Sequence, residues 1–223
     1  MKTKTLSMTA GVASLLFAGA ASAGYVGMSG EVVAVDGIAG SQTIRVYADF
    51  ADAADQLNAV YGDSTHTLSI DASSSFYQNS FGGAVSNDIN PALYAAFPSL
   101  VYDSWVTIGL EDQVGNAMLN IGVDFDDFEN NGGGITTDNG SWFATPDDAQ
   151  VVAGAELRVM IGQFTVMGAS GTVSGVINMQ GKNADGSNWV ANDVAFEFGD
   201  IVPAPGVLAL LGIAGLAGRR RRA

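Results

Sequence analysis

The sequence predicts an all-β protein: a single β-sandwich, jelly-roll-like, of about ten strands with one or two short helices. Short runs rich in Val, Ile, Phe and Tyr alternate with clusters of Gly, Ser, Thr, Asn and Asp, which is the pattern of strands joined by turns. Only two short segments carry helix signals. The chain has 223 residues, and residues 24–201 are enough for one domain with an ordinary buried core.

Ten segments have the composition of strands. In residues 42–50 (QTIRVYADF), for example, Ile44, Val46 and Ala48 fall on one face because strand side chains alternate, while polar residues occupy most of the other face. The predicted strands cover residues 30–35, 42–50, 66–72, 75–79, 105–110, 117–125, 141–144, 156–167, 171–180 and 189–198.

Two segments are predicted to form short helices. Residues 51–60 (ADAADQLNAV) are rich in Ala and begin with acidic residues, which favour a helix N-terminus. Residues 91–97 follow Asn90, a good N-cap, and place Pro91 at the first helical position. Residues 130–140 (NNGGGITTDNG) are predicted to be a loop from their composition.

The charges are distributed very unevenly. Between Glu31 and Asp200 the chain has 23 acidic and three basic residues, a formal net charge of −20. Such a surface repels nucleic acid, so a nucleic-acid partner is not expected. It suits a protein that is soluble outside the cell, and it offers oxygen ligands to hard cations. The absence of cysteine excludes thiol chemistry, iron–sulfur clusters and Cys-based zinc sites.

The N-terminal 23 residues have the pattern of a secretory signal peptide. Lys2 and Lys4 form a positively charged region, and an apolar stretch follows over residues 10–20. Ala21 and Ala23 frame a small-residue cleavage site, with cleavage expected after Ala23. The apolar stretch is shorter than the roughly 20 residues that a membrane span needs, so a cleaved signal peptide is favoured over an N-terminal membrane anchor.

The C-terminal residues 202–223 form a second targeting pattern. It consists of a proline-containing break, an apolar segment over residues 207–218 and a basic end. The basic end would stay on the cytoplasmic face of the inner membrane while the body is exported. The residues of the break are Val202, Pro203, Ala204 and Pro205, and those of the basic end are Arg219, Arg220, Arg221 and Arg222.

This C-terminal pattern resembles the sorting signal of PEP-CTERM proteins from Gram-negative bacteria, although Ala204 stands where that family usually has Glu. The resemblance covers about 22 residues and implies no activity, since the signal is attached to many unrelated bodies. It implies recognition by an exosortase-like processing enzyme and inner-membrane transit through a hydrophobic sorting helix. It further implies arrival at the periplasm, the cell surface or an extracellular matrix rich in polysaccharide.

The sequence contains no convincing catalytic constellation. His66 is its single histidine, and no G-x-S-x-G nucleophile motif accompanies it, so a Ser–His–Asp triad is not predicted. A non-enzymatic protein is therefore expected.

The densest acidic cluster is a candidate for calcium binding. It comprises Asp124, Asp126, Asp127 and Glu129, and a Gly-rich stretch follows it. The spacing does not match an EF-hand loop. A solvated acidic loop is the plainer interpretation. A carboxylate pair for glycan hydrolysis is the third, since on a strand Asp124 and Asp126 would share a face.

One aromatic residue is a candidate for ligand stacking. Trp142 follows the turn sequence Asp138-Asn139-Gly140 and could stack on a sugar ring. The alternative, which is the commoner fate of a strand tryptophan, is that Trp142 belongs to the core.

Together these features predict an exported structural or adhesive protein of the envelope or biofilm matrix. The alternative is a carbohydrate-binding module, with or without calcium as cofactor, that acts on extracellular polysaccharide. An exported glycan hydrolase is a weaker alternative.

Overall fold

The computed structural model describes residues 24–168 and 170–199, which form two antiparallel sheets packed face to face. The predicted all-β sandwich is thus confirmed, with eleven strands and one α-helix among these residues. The strands are β1 (Tyr25–Val35), β2 (Ser41–Phe50), β3 (Gln56–Gly62), β4 (Leu68–Ala72), β5 (Trp105–Val106), β6 (Leu119–Ile121), β7 (Ile135–Thr137), β8 (Gly140–Phe143), β9 (Arg158–Met167), β10 (Thr172–Lys182) and β11 (Asn188–Gly199). The helix is α1 (Asp126–Asn131).

The smaller sheet has four strands in the order β1-β2-β9-β5. The larger sheet has seven strands, and β10 lies at its centre. One edge of β10 pairs with β3 through residues 178–182 and with β4 through residues 173–176, while the other edge pairs with β11. The remaining strands extend this sheet outward, since β8 and then β6 follow β3, and β7 follows β4.

The main core lies between the two sheets. It is built from alternate residues of each strand, because successive side chains of a strand point to opposite faces. The smaller sheet contributes fully buried residues such as Ile44, Val46 and Phe164, and the larger sheet contributes Val60 and Ile177 among others. The alternation predicted for residues 42–50 therefore matches the face that is buried in the main core.

A second apolar cluster lies on the outer face of the smaller sheet. Residues 79–102, called here the cover segment, pass across this face and include three short 3-10 helices, Ser86–Asp88, Pro91–Leu93 and Pro98–Tyr102. Its Ile89 and Leu100 pack with Tyr47, Trp105 and Met160 of the sheet. Both faces of the smaller sheet are consequently in contact with apolar side chains.

The helix predicted for residues 91–97 exists as a shorter 3-10 element. The Asn90 side chain accepts a hydrogen bond from the backbone N–H of Ala92 at 3.0 Å, which is the predicted N-cap role. The helix predicted for residues 51–60 is wrong. Asp52 and Asp55 accept backbone hydrogen bonds within a turn, and β3 then begins at Gln56. Side-chain-to-backbone bonds of this kind compete with helix formation.

The acidic segment is helical where a strand was considered. The carboxylate of Asp124 accepts a hydrogen bond from the backbone N–H of Asp126 at 2.9 Å, and α1 begins there. Gly132 ends α1 in the left-handed conformation, at a φ of 66°, with its N–H bonded to Phe128 O. Residues 135–137, predicted as loop, form β7.

The two predicted targeting segments, residues 1–23 and 202–223, lie outside the described residues. Within residues 24–168 and 170–199, no helix has the length and apolar character needed to cross a membrane.

Candidate functional site

A groove of about 520 Å³ lies on the outer face of the larger sheet. Strands β3, β8, β10 and β11 form its base, and residues 144–146 form one wall. The cover segment lies on the other sheet, so this face of the sandwich is open to solvent where the groove runs. The groove is lined by Asn58, Ala59, Ser141, Phe143, Ala144, Thr145, Pro146, Gln180, Gly181, Lys182, Asn188, Trp189 and Val190.

Strand pairing explains the concave shape. Ala59 pairs with Phe143 on one side and with Gln180 on the other, and Gln180 pairs in turn with Val190. Directly paired residues share a face of the sheet, so these four side chains form one row across four strands. Ala59 is the smallest of them, and larger side chains flank it. The small side chain therefore leaves a depression with Phe143 on its rim.

The base of the groove is packed tightly against the core. Trp189 is buried beneath it, stacks on Tyr25 with a centroid distance of 5.2 Å, and donates from Nε1 to Gln56 O at 3.0 Å. Gly181 lies beside this contact, and a Cβ at that position would collide with the same carbonyl oxygen. The absence of a side chain at Gly181 thus allows β3 and Trp189 to approach closely.

The wall formed by residues 144–146 is held by hydrogen bonds. Both the backbone N–H and the hydroxyl of Thr145 donate to Asp148 Oδ2, at 3.1 and 2.9 Å. The backbone N–H of Ala144 donates to Asn58 O at 2.9 Å, which ties the wall to β3. The side chains on this wall are accordingly fixed before any ligand binds.

The polar lining of the groove consists mainly of amides. Asn58, Gln180 and Asn188 can each donate and accept hydrogen bonds. The Nδ2 atom of Asn58 is buried and has no hydrogen-bond partner among the described residues. This atom therefore faces the interior, and the groove surface is offered hydrogen bonds mainly by the exposed amides of Gln180 and Asn188. The arrangement suits a neutral, hydroxyl-rich ligand surface.

Trp142, the residue predicted as a stacking platform, is fully buried. Its side chain belongs to the main core, and its Nε1 donates to Thr107 O at 3.2 Å. Of the two roles considered for Trp142, the structure supports the core position, because a side chain without exposed surface cannot contact a ligand. The neighbouring Phe143 points to the opposite face and lines the groove.

The predicted calcium ligands are not brought together. Asp124, Asp126 and Asp127 are exposed, and Asp127 accepts a hydrogen bond from Asn131 Nδ2 at 2.9 Å. Asp126 and Glu129 are three positions apart in α1 and share a face, whereas Asp127 lies on another face and Asp124 precedes the helix. Within the part of the chain that the structure describes, no three His, Cys, Asp or Glu side chains are grouped so as to hold a metal ion.

Glu129 contributes instead to a second, open cavity of about 390 Å³ beside α1, where Asp88 of the cover segment also lies. Partial burial raises the pKa of both carboxyl groups, and the charge of Asp88 raises that of Glu129 further. Asp126 lines the same cavity, but Asp124 and Asp127 do not.

His66 interacts with a carboxylate that its sequence neighbourhood did not suggest. Its Nδ1 lies 2.8 Å from Asp193 Oδ2, whereas Asp63 accepts hydrogen bonds from the backbone N–H groups of Thr65 and His66. The pair lies at the solvent-exposed surface, away from the groove residues.

The most strongly perturbed carboxyl group is Asp103, which is fully buried under the cover segment. Burial raises its pKa to about 7, although its carboxylate accepts hydrogen bonds from the backbone N–H of Asn79 at 2.7 Å and of Gly83 at 3.2 Å. These bonds join the first turn of the cover segment to Asp103, which directly follows that segment and lies two positions before β5. Asp103 therefore holds the cover segment in place.

Sequence analysis missed most of the groove residues, although alternation along β8 could have found Phe143 once Trp142 was assigned to the core. The sorting-motif residues and the signal-cleavage residues Ala21 and Ala23 lie outside the described residues. Comparison of the chain with protein-family models, with curated proteins and with solved structures found no match.

Proposed function

We propose that this is an exported, non-enzymatic adhesive protein of the bacterial envelope or biofilm matrix, and that it attaches to polysaccharide through the groove on its larger sheet. The observation that carries the proposal is the composition of the groove: an outward-facing aromatic ring, Phe143, beside three amide side chains on a rigid sheet. An aromatic ring offers a flat apolar surface to the C–H groups of a sugar. The amides offer donors and acceptors to its hydroxyl groups.

The rigidity of the site supports glycan binding. The groove residues lie mostly on paired strands, and hydrogen bonds to Asp148 and to Asn58 O fix the wall. A preformed site reduces the side-chain ordering that opposes association. A single groove of this kind favours weak binding per molecule. Adhesion would then depend on many copies that bind the same polymer at once.

The export part of the proposal depends on the two targeting patterns at the chain ends. Mass spectrometry of the protein recovered from its native host should find a mature N-terminus at Gly24 and loss of the arginines of the C-terminal end. A deletion of residues 202–223 should change the fraction in which the body is recovered. Identical fractionation of the truncated and full-length proteins would contradict the sorting proposal.

A glycan array tests the binding proposal directly. The wild-type protein should bind at least one class of polysaccharide fragment, and Phe143→Ala should weaken that binding by about two- to tenfold, since an aromatic contact contributes roughly 0.5–1.5 kcal/mol. Phe81→Ala is the matched control, because Phe81 is 46% exposed and does not line the groove. It should bind as the wild type does.

A second groove variant keeps the test decisive if Phe143→Ala does not fold. Gln180 is exposed on β10, so Gln180→Ala should leave the melting temperature nearly unchanged while it weakens binding. Binding that survives both groove substitutions in folded protein would show that the glycan is bound elsewhere. The absence of any bound glycan would reject the polysaccharide proposal altogether.

A further inference from the structure

The charge within the groove is opposite in sign to the charge of the body. Between Glu31 and Asp200 acidic residues outnumber basic residues by 23 to three. None of the groove residues in the described part of the chain is acidic, and one of the three basic residues, Lys182, lies among them. A groove that sampled the body's composition would on average contain one or two acidic side chains, whereas this groove contains none and contains a lysine.

The other two basic residues of the body are paired with acidic ones. Arg45 donates to both carboxylate oxygens of Glu111, at 2.7 and 2.5 Å. Arg158 lies 3.3 Å from Glu31 and also stacks over the ring of Tyr47 at 4.0 Å. Both arginines are thus engaged by carboxylates on the surface of the smaller sheet.

Lys182 has no such partner. Its Nζ donates to Asn188 Oδ1 at 3.3 Å, and within residues 24–168 and 170–199 no carboxylate forms an ion pair with it. An amide oxygen occupies one of the three donors of the ammonium group and leaves its charge uncompensated. An ammonium group binds an anionic oxygen more strongly than a neutral one.

We infer that the ligand of this groove is an acidic glycan, and that Lys182 pairs with an anionic group on one of its sugar units, a carboxylate or a sulfate. The inference rests on the glycan-binding function proposed above and adds its chemical class. Phe143 and the amides contact the sugar ring and hydroxyls, and Lys182 supplies selectivity for charge.

The negative charge of the body limits which acidic glycans can bind. Long-range repulsion between the body and a polyanion is screened over about 8 Å at physiological ionic strength, while contact at Lys182 is screened much less. The same repulsion opposes polymers with an anion on every unit. We therefore expect a preference for glycans in which acidic units alternate with neutral ones.

The test compares matched oligosaccharides on an array in about 0.15 M salt, near the physiological ionic strength. Each neutral oligosaccharide is printed beside its uronate counterpart and its sulfated counterpart. The wild-type protein should bind one anionic form about tenfold more tightly than the neutral form, and the form preferred identifies the anion. Lys182→Gln should reduce the preference to about one while weak binding of the neutral form remains. Lys182→Arg should keep it.

Ala155→Glu provides the control for net charge. It makes the same change of one negative unit as Lys182→Gln, at an exposed position outside the groove. It should leave the preference for the anionic form unchanged. Equal binding of neutral and anionic forms by the wild type, or a preference that survives Lys182→Gln, would overturn the inference while leaving glycan binding intact. No binding to any form would instead reject the proposed function itself.

Discussion

The two outer faces of the sandwich differ, because one is covered by another segment of the chain and the other is open to solvent. The outer face of the smaller sheet is covered by residues 79–102, and the contact buries Trp105 and Leu100 almost completely. The outer face of the larger sheet has no comparable cover where the groove runs, and Val190 there is 51% exposed. The outer face of the smaller sheet thus forms a second core, whereas the outer face of the larger sheet is open to solvent along the groove.

The comparison separates residues that stabilise the fold from residues available to a ligand. On the covered face, aromatic and aliphatic side chains are engaged by the protein itself, and the arginines of that sheet are paired with carboxylates. On the open face, the aromatic ring, the amides and Lys182 remain accessible. Substitutions on the two faces should accordingly change different properties.

The largest expected difference is in stability. Leu100→Ala on the covered face should lower the free energy of unfolding by about 2–5 kcal/mol, because it removes a fully buried side chain and leaves a cavity. Val190→Ala on the open face should change it by no more than about 0.5 kcal/mol. Denaturant unfolding at a fixed pH measures both.

The neighbouring residue of the same 3-10 helix provides the control. Val101 is 43% exposed, so Val101→Ala should behave as Val190→Ala does. If Leu100→Ala unfolds no more easily than Val101→Ala, the cover segment is not a second core, and the contrast between the two faces is lost.

A smaller effect should appear in the pH dependence of stability. Asp103 has an ordinary pKa of 3.8 and a folded pKa of about 7, raised by burial beneath the cover segment. Between these values the folded state binds more protons than the unfolded state, so stability is highest at low pH and falls as the pH rises towards 7. This group alone should change the free energy of unfolding by at most about 1.4 kcal/mol per pH unit.

Thermal unfolding of the wild type and of Asp103→Asn between pH 5 and pH 7.5 would measure this contribution. The stability of the variant should fall less steeply with rising pH than that of the wild type, whatever its absolute stability. Asp63→Asn is a suitable control, because backbone hydrogen bonds lower the pKa of that aspartate, so it is ionised in both the folded and the unfolded state between pH 5 and pH 7.5 and its replacement should not change the pH dependence. Parallel curves for the wild type and Asp103→Asn would mean that the cover segment does not depend on the ionisation of Asp103.

The architecture could be predicted from the sequence because it follows from local patterns. Most of the long strands were predicted, since alternation and turn composition are properties of consecutive residues, but β3 was assigned to a helix and the strand predicted for residues 75–79 is only an isolated bridge at Phe76. The errors fall where a side chain competes with the backbone. Asp52 and Asp55 form a turn where a helix was predicted. A helix begins after Asp124 and ends at Gly132, where a strand was considered.

The groove could not be predicted because it depends on which strands are neighbours. Phe143, Ala59, Gln180 and Val190 are adjacent only through the pairing of β8, β3, β10 and β11, and the sequence does not specify that order. The choice between Trp142 and Phe143 also required knowledge of which face is buried. The two targeting segments were predicted from contiguous patterns, and they stay predictions because they lie outside the described residues.

The hydrogen bond from Trp189 to Gln56 beneath the groove joins positions 133 residues apart. Contacts of such long range are typically late events in folding, since a large loop must close before they form. A chain in which residues 56 and 189 have not yet met lacks the base of the groove, however complete its individual strands are. The glycan binding proposed for this groove would therefore begin only once the whole domain has folded.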